Sequence, residues 1–315
     1  MATIHQITRP EHNASDGWKQ RLAEIGAKEG FYEELGDQHS ALFVKHGKTL
    51  IVTFDNLDLV DKSDKDRMPW GFHFAESRNW SVLGIMAEGW TWYRDKSVFD
   101  FFDRMQKEGF FKQFDKVVFY GASMGAYAAC AFSCAAPDAT VIAISPQATL
   151  DRELTVWETR FRKAWRRDYS GRYGYAPDMV KKADKVYLFY DPMDNADAMH
   201  ACLFQSKNIA KVRCRYMGHR IASLWMSMKI LKPIIEGCVD GTVTTTGFYK
   251  LFRNRRDSLR YQKEMLIRLK KERRHKLMVL YCEYILSKRP GPHFRRELRA
   301  AKLALQKKTP AHGAK

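Results

Sequence analysis

A serine framed by two glycines, Gly121-Ala122-Ser123-Met124-Gly125, is the stretch of this chain with the plainest chemical meaning. The apolar run Val117-Val118-Phe119-Tyr120 enters it, and small residues (Ala126, Ala128, Ala129) leave it. This is the pattern of a buried strand turning sharply into a helix. Side chains at either flank of so tight a turn would strike backbone, which is why glycine is needed there. The serine is left at the tip in a strained conformation with its hydroxyl exposed. A hydroxyl is a poor nucleophile near neutral pH, so it needs an adjacent general base, and the base needs an orienting acid.

The best-placed base is His219, which follows Gly218 and a predicted strand. His200 falls inside a predicted helix, and His275, His293 and His312 lie in a basic tail. For the acid, Tyr190-Asp191-Pro192-Met193-Asp194-Asn195 follows the penultimate strand, and either carboxylate is within reach. Asp194 is preferred because a short loop has turned back toward the histidine by that point; Asp191, which can cap the loop, is the alternative. Charge on the reacting oxygen calls for backbone donors. These are expected from Met124, directly after the nucleophile, and from Asn56, at the end of the strand closing with Phe54.

The elements that must position these residues alternate. Residues 41–45 and 49–54 read as strands joined by a tight turn at His46-Gly47-Lys48, and residues 1–35 as a short helix with an irregular lead-in. Further strands are expected at 81–86, 117–120, 139–144, 185–190 and 211–216. Helices are expected around Phe99, Phe102 and Met105, after the elbow, and over 222–232 with Pro233 as a stop or kink. Strands apolar on both faces and alternating with helices predict an α/β fold, a mostly parallel sheet covered on both sides. Ligands in such sheets sit beyond the carboxyl ends of the strands. Asn56, Trp90–Arg94, Ser123, Asp191–Asp194 and His219 therefore share one rim.

With Ser123, Asp194 and His219 in that order, each just past a strand, the chain resembles the α/β-hydrolase superfamily over about residues 40–240. The motifs that carry the resemblance are Gly121–Gly125, Asp191-Pro192-Met193-Asp194 and Gly218-His219. The resemblance implies a serine nucleophile, an acyl-enzyme intermediate and no metal or organic cofactor. No His-Gly follows the strand ending at Phe54, so the second oxyanion donor departs from the lipase pattern. The Tyr-Gly-x-Ser-Met-Gly form is also similar to bacterial hydrolase-like proteins linked to glycan or surface-polymer modification.

Residues 150–183 interrupt the alternation where such hydrolases carry a cap. Leu154, Trp157, Phe161, Ala164 and Trp165 recur at helical spacing there, with Arg160, Arg162, Arg166 and Arg167 on neighbouring faces. Trp157 from this cap and Trp92, Tyr93 and Arg94 from the rim are the candidate substrate contacts. Arg94 is suited to hold a carboxylate or phosphate, or to pair with an internal aspartate.

Charge divides the chain at about residue 240. Residues 241–315 hold 21 Lys/Arg against 5 Asp/Glu, while 1–240 hold 33 against 31, so nearly all of the net +18 belongs to the tail. Leucine and tyrosine stripes, broken near Arg273 and at Pro290-Gly291-Pro292, predict three or four basic amphipathic helices. Such a tail can dock on the hydrolase domain, or meet an anionic polymer, nucleic acid or membrane surface. Six cysteines without a C-x-x-C pair read as structural thiols of a reducing compartment. No signal-like or membrane-spanning run is evident, and a cytoplasmic location is expected. The expected function is a serine hydrolase acting on esters or thioesters, with a glycan acyltransferase as the second possibility. A silent fold that binds through its basic helices is the third.

Overall fold

The computed structural model describes residues 16–57 and 68–307. The lead-in before Asp16, residues 58–67 and the end after Lys307 lie outside them. The chain divides into two compact units, residues 1–222 with 232–243, and residues 223–231 with 244–315.

The first unit opens with α1 (Asp16–Glu29), β1 (Gly30–Leu35), β2 (His39–Val44), β3 (Thr49–Asn56), α2 (Phe72–Glu76), β4 (Ser81–Ala87) and α3 (Lys96–Lys107). It continues with β5 (Lys116–Ala122), α4 (Met124–Phe132) and β6 (Thr140–Ile144). The cap segment supplies α5 (Arg152–Thr155) and α6 (Ala176–Met179). β7 (Lys185–Tyr190), α7 (Asn195–Leu203) and β8 (Ile209–Arg213) complete the sheet. Eight strands lie in the order β1-β2-β4-β3-β5-β6-β7-β8. β2 runs antiparallel to both β1 and β4, and every pair from β4 to β8 is parallel. Helices pack on both faces.

Burial along the strands explains this order. β4 is buried at every position, and β5, β6 and β7 are buried through their centres, as strands covered on both faces must be. The edges differ. β1 carries Glu33 and Glu34, and β8 carries Lys211 and Arg213, charges that discourage pairing with another chain. β2 and β3 do not pair as the turn at 46–48 suggested. β4, apolar on both sides, takes the place between them, and β1 was not anticipated at all. Phe54, Phe102, Phe119 and Phe132 stack beneath the elbow, with ring centroids 4.4 Å apart for Phe102 and Phe132. This cluster joins β3, α3, β5 and α4 into one core.

The cap segment departs from its helical spacing. It forms single turns over 152–155, 162–166, 176–179 and 180–182, and Leu154 is exposed. Pro233 does not end a helix. After α8 (Ile221–Ser227) it lies in the first turn of α9 (Leu231–Val239), where its missing N–H costs nothing.

The second unit contains α10 (Thr245–Phe252), α11 (Leu259–Lys271), α12 (His275–Lys288) and α13 (Pro292–Gln306). Thr244 and Ser258 cap α10 and α11 with their hydroxyls, Arg273 turns the chain at φ 54°, and Pro292 starts α13. Leu266, Met278, Cys282, Ile285, Phe294 and Ala301 form its small core. All six cysteines are free thiols. Among the described residues no helix is long and apolar enough to cross a membrane.

Candidate active site

Strand β3 has β4 on one side and β5 on the other, so the chain reverses direction across the sheet there. A crevice opens beyond the carboxyl ends of the strands at such a point. Ser123 occupies it, between the end of β5 and the start of α4, with φ 53° and ψ −119°. A Cβ on Gly121 would lie 2.1 Å from the Gly125 carbonyl oxygen, and one on Gly125 would lie 2.4 Å from the Phe54 carbonyl oxygen. Both glycines are obligatory, and the second contact seats the elbow on the end of β3. The strained residue is held from both sides: its N–H donates to the Ile144 carbonyl (2.9 Å), and its own carbonyl accepts from the Tyr127 N–H (3.0 Å).

His219 meets this serine. Its Nδ1–H donates to both carboxylate oxygens of Asp197, at 2.9 and 3.0 Å. That bond assigns the tautomer and leaves Nε2 as an acceptor, 2.7 Å from Ser123 Oγ. Hydroxyl, imidazole and carboxylate thus form one hydrogen-bonded relay in the chain order serine, aspartate, histidine. The fold is that of the α/β-hydrolases.

No protein-family model and no curated protein sequence matches the chain. Among solved structures it is similar to the capsule O-acetyltransferase of Neisseria meningitidis serogroup A, at 15% identity over 65% of this chain and 93% of that one, TM-score 0.43. It is similar to Est1E from Butyrivibrio proteoclasticus at 14% identity over 67% and 98%, TM-score 0.43. It is also similar to the glycosylation associate protein complex from Streptococcus agalactiae, at 16% identity over 64% and 44%, TM-score 0.43. Similarity this distant says nothing of substrate or mechanism here.

The carboxylate on His219 is Asp197, not Asp194 or Asp191. Asp194 is the N-cap of α7 and accepts from the Asp197 N–H at 3.2 Å. Asp191, fully buried after β7, accepts from the N–H groups of Met193 (2.9 Å), Tyr216 (3.1 Å) and Gly218 (2.7 Å). It therefore fixes the backbone of the loop that presents His219. Asp197 stands in the first turn of α7, where a helix favours negative charge. The spacing Asp194-x-x-Asp197 carries the signal: an aspartate spent on capping leaves the next one, three residues on, to face the site. Burial alone would raise the Asp197 carboxyl, but the hydrogen bond and charge of His219, followed by Arg160, hold it below its ordinary value.

The other expected site residues divide. Met124 opens α4, so its N–H belongs to the first-turn donors that no intrahelical carbonyl reaches. Asn56 ends β3, half-buried, in the strand on which the elbow is seated. Trp92 and Tyr93, both with positive φ, are turned fully into the core and offer no face to a substrate. Trp92 donates its backbone N–H to Met124 Sδ (3.2 Å), and its ring packs edge-on against Phe161. Arg94 spends its guanidinium on backbone carbonyls. It donates to the carbonyls of Asp168 (2.8 Å) and Arg172 (2.7 Å), and so ties the cap segment down. Trp157 packs on His200, ring centroids 4.6 Å apart. Among the described residues no three His, Cys, Asp or Glu side chains are grouped as metal ligands would be.

A further carboxyl escaped the sequence reading. Burial pushes Asp55, beside Asn56, up to about 6, although it accepts from the Trp70 N–H (2.9 Å) and Thr53 Oγ1 (3.4 Å). A carboxyl raised in the folded state binds more protons folded than unfolded between about pH 4 and 6. Its contribution to stability is present below that window and is lost as pH rises through it. Asp55→Asn keeps an acceptor for Trp70 and removes the titration. In thermal melts the variant should gain on the wild type from pH 4 to 7, by at most about 2–3 kcal/mol. A constant difference across that range would show that Asp55 does not titrate there.

Proposed function

We propose that the first unit is a serine hydrolase of the esterase or thioesterase type, or a related acyltransferase. The observation that carries this reading is the Ser123–His219–Asp197 relay, with heavy-atom distances of 2.7 and 2.9 Å, next to a serine held at φ 53°. His219 Nε2 takes the proton of Ser123 as Oγ attacks an ester or thioester carbonyl. Asp197 steadies the imidazolium that forms, and the N–H groups of Met124 and Asn56 are the candidate donors to the oxyanion. His219 returns its proton to the leaving group. Water or a sugar hydroxyl, deprotonated by the same imidazole, then takes the acyl group from Ser123. The His219 side chain is 23% exposed, so an acceptor can approach from solvent.

A fluorophosphonate probe tests the relay without a known substrate. One covalent adduct on Ser123 is expected, absent in Ser123→Ala and strongly slowed in His219→Ala. Asp197→Asn should slow labelling by about 10³–10⁴. Asp194→Asn should cost at most about 1 kcal/mol of stability through its cap and leave the labelling rate near wild type. Equal effects of the two aspartate substitutions would remove Asp197 from the relay.

The second unit favours a separate, compatible role in binding anionic ligands. An open pocket of about 420 Å³ is lined by Arg255, Arg256, Tyr261, Met265, Tyr281 and Tyr284. Arg255 donates to the Phe252 carbonyl and lies over its ring, while Arg256 is exposed. An Arg255→Ser/Arg256→Ser variant of the full chain should elute from immobilised heparin at lower salt than the wild type. Unchanged elution would sink this role for the pocket.

A further inference from the structure

We propose that Arg160, contributed by the cap segment, is a positioning residue that clamps Asp197 against His219 and opposes the positive charge that His219 takes up. The inference rests on the serine-hydrolase reading of Ser123. Arg160 Nη1 donates to Asp197 Oδ1 at 2.8 Å, the oxygen that His219 Nδ1–H also approaches at 2.9 Å. The two donors stand 3.5 Å apart, and Asp194 lies 3.5 Å from the same guanidinium nitrogen. Asp197 thus has one oxygen shared between imidazole and guanidinium. It cannot turn toward either one without loosening its bond to the other.

Arg160 is itself held from behind. Its Nε and Nη2 donate to Glu158 at 3.0 and 2.6 Å, and its backbone N–H donates to the same carboxylate at 2.8 Å. Glu158 is fully buried and also accepts from His200 Nε2 at 3.0 Å. His200 is buried as well, and its Nδ1 accepts from the Ala148 N–H at 3.2 Å, so this ring is the neutral Nε2–H tautomer. Burial would raise the Glu158 carboxyl, but His200 and then Arg160 bring it down to about 2. The charged groups around His219 are therefore the carboxylates of Asp197 and Asp194 from the α7 end, Arg160 and Glu158 from the cap, and Asp191 beneath its loop. Arg220, next in the chain, is exposed; among the described residues Arg160 is the arginine that donates to Asp197. Its Nη1 stands 3.5 Å from His219 Nδ1, so a positive charge taken up by the imidazole meets the guanidinium at close range.

The test is the second-order rate of fluorophosphonate labelling of Ser123 as a function of pH, with melting temperatures as the folding control. Arg160→Gln keeps a donor and loses the charge; Arg160→Lys keeps the charge and loses the bidentate hold on Glu158. Arg160→Gln should label at least about tenfold more slowly at neutral pH, the loss expected for one charge-assisted hydrogen bond. The acid limb of its profile should move up by about one pH unit. Arg160→Lys should also label more slowly, with its limb in place. A folded Arg160→Gln protein with wild-type rate and limb overturns the inference, as does a limb that moves in Arg160→Lys although the charge is kept. A wild-type chain that does not label at Ser123 overturns the hydrolase reading and the inference with it.

Discussion

A carboxylate taken out of water must be met by donors, or its burial costs several kcal/mol. Asp197 is in that position, and much of the site is arranged around it. His219 and Arg160 supply the donors. Each comes from a segment that is immobilised separately, His219 by the Asp191 carboxylate under its loop and Arg160 by the buried Glu158–His200 pair. Removing any one donor leaves charge uncompensated in the interior, so the parts of the site depend on one another. The relay to Ser123 follows from this arrangement, since holding Nδ1–H on Asp197 is what frees Nε2 to accept.

The strain on the other side of the relay is met differently. Ser123 has a backbone conformation that other residues rarely adopt, and no side-chain cap supports it. Backbone contacts hold it: the Ile144 carbonyl, the helix start at Met124, and the close approach of Gly125 to the end of β3. The stacked phenylalanines below the elbow make that approach rigid. The fold thus contributes one rigid point, the serine, and one mutually braced group, the histidine with its aspartate.

How much of this was legible depended on how local the signal was. The elbow and the apolar strands announce themselves, because glycine spacing and two-sided burial leave marks within a few residues. His219 could be found by strand-end position alone. Asp197 could not be separated so simply from Asp191 and Asp194, because all three lie in one short acidic stretch and differ only in what each faces after folding. One pins a loop, one caps a helix, and the third reaches the imidazole. The cap misled through its periodicity. Apolar residues at helical spacing there pack into irregular backbone, where Trp157 covers His200 and Phe161 lies against Trp92. Arg160 stood out no more than the three other arginines of the cap, because the partner that ties it to the site, Asp197, comes from a segment almost forty residues away. The order β2-β4-β3 was hidden for the same reason, since pairing is decided by which strand is apolar on both faces and not by which is next in the chain.

On the proposed mechanism Ser123 carries the acyl group during turnover. The most direct measurement is mass spectrometry of protein quenched in acid while it turns over an activated acetyl ester such as p-nitrophenyl acetate. One acetyl group is expected, located on the peptide that contains Ser123 and disappearing as the ester is exhausted. Turnover abolished by Ser123→Ala but with no adduct at any stage, or an adduct on a different side chain, would contradict it.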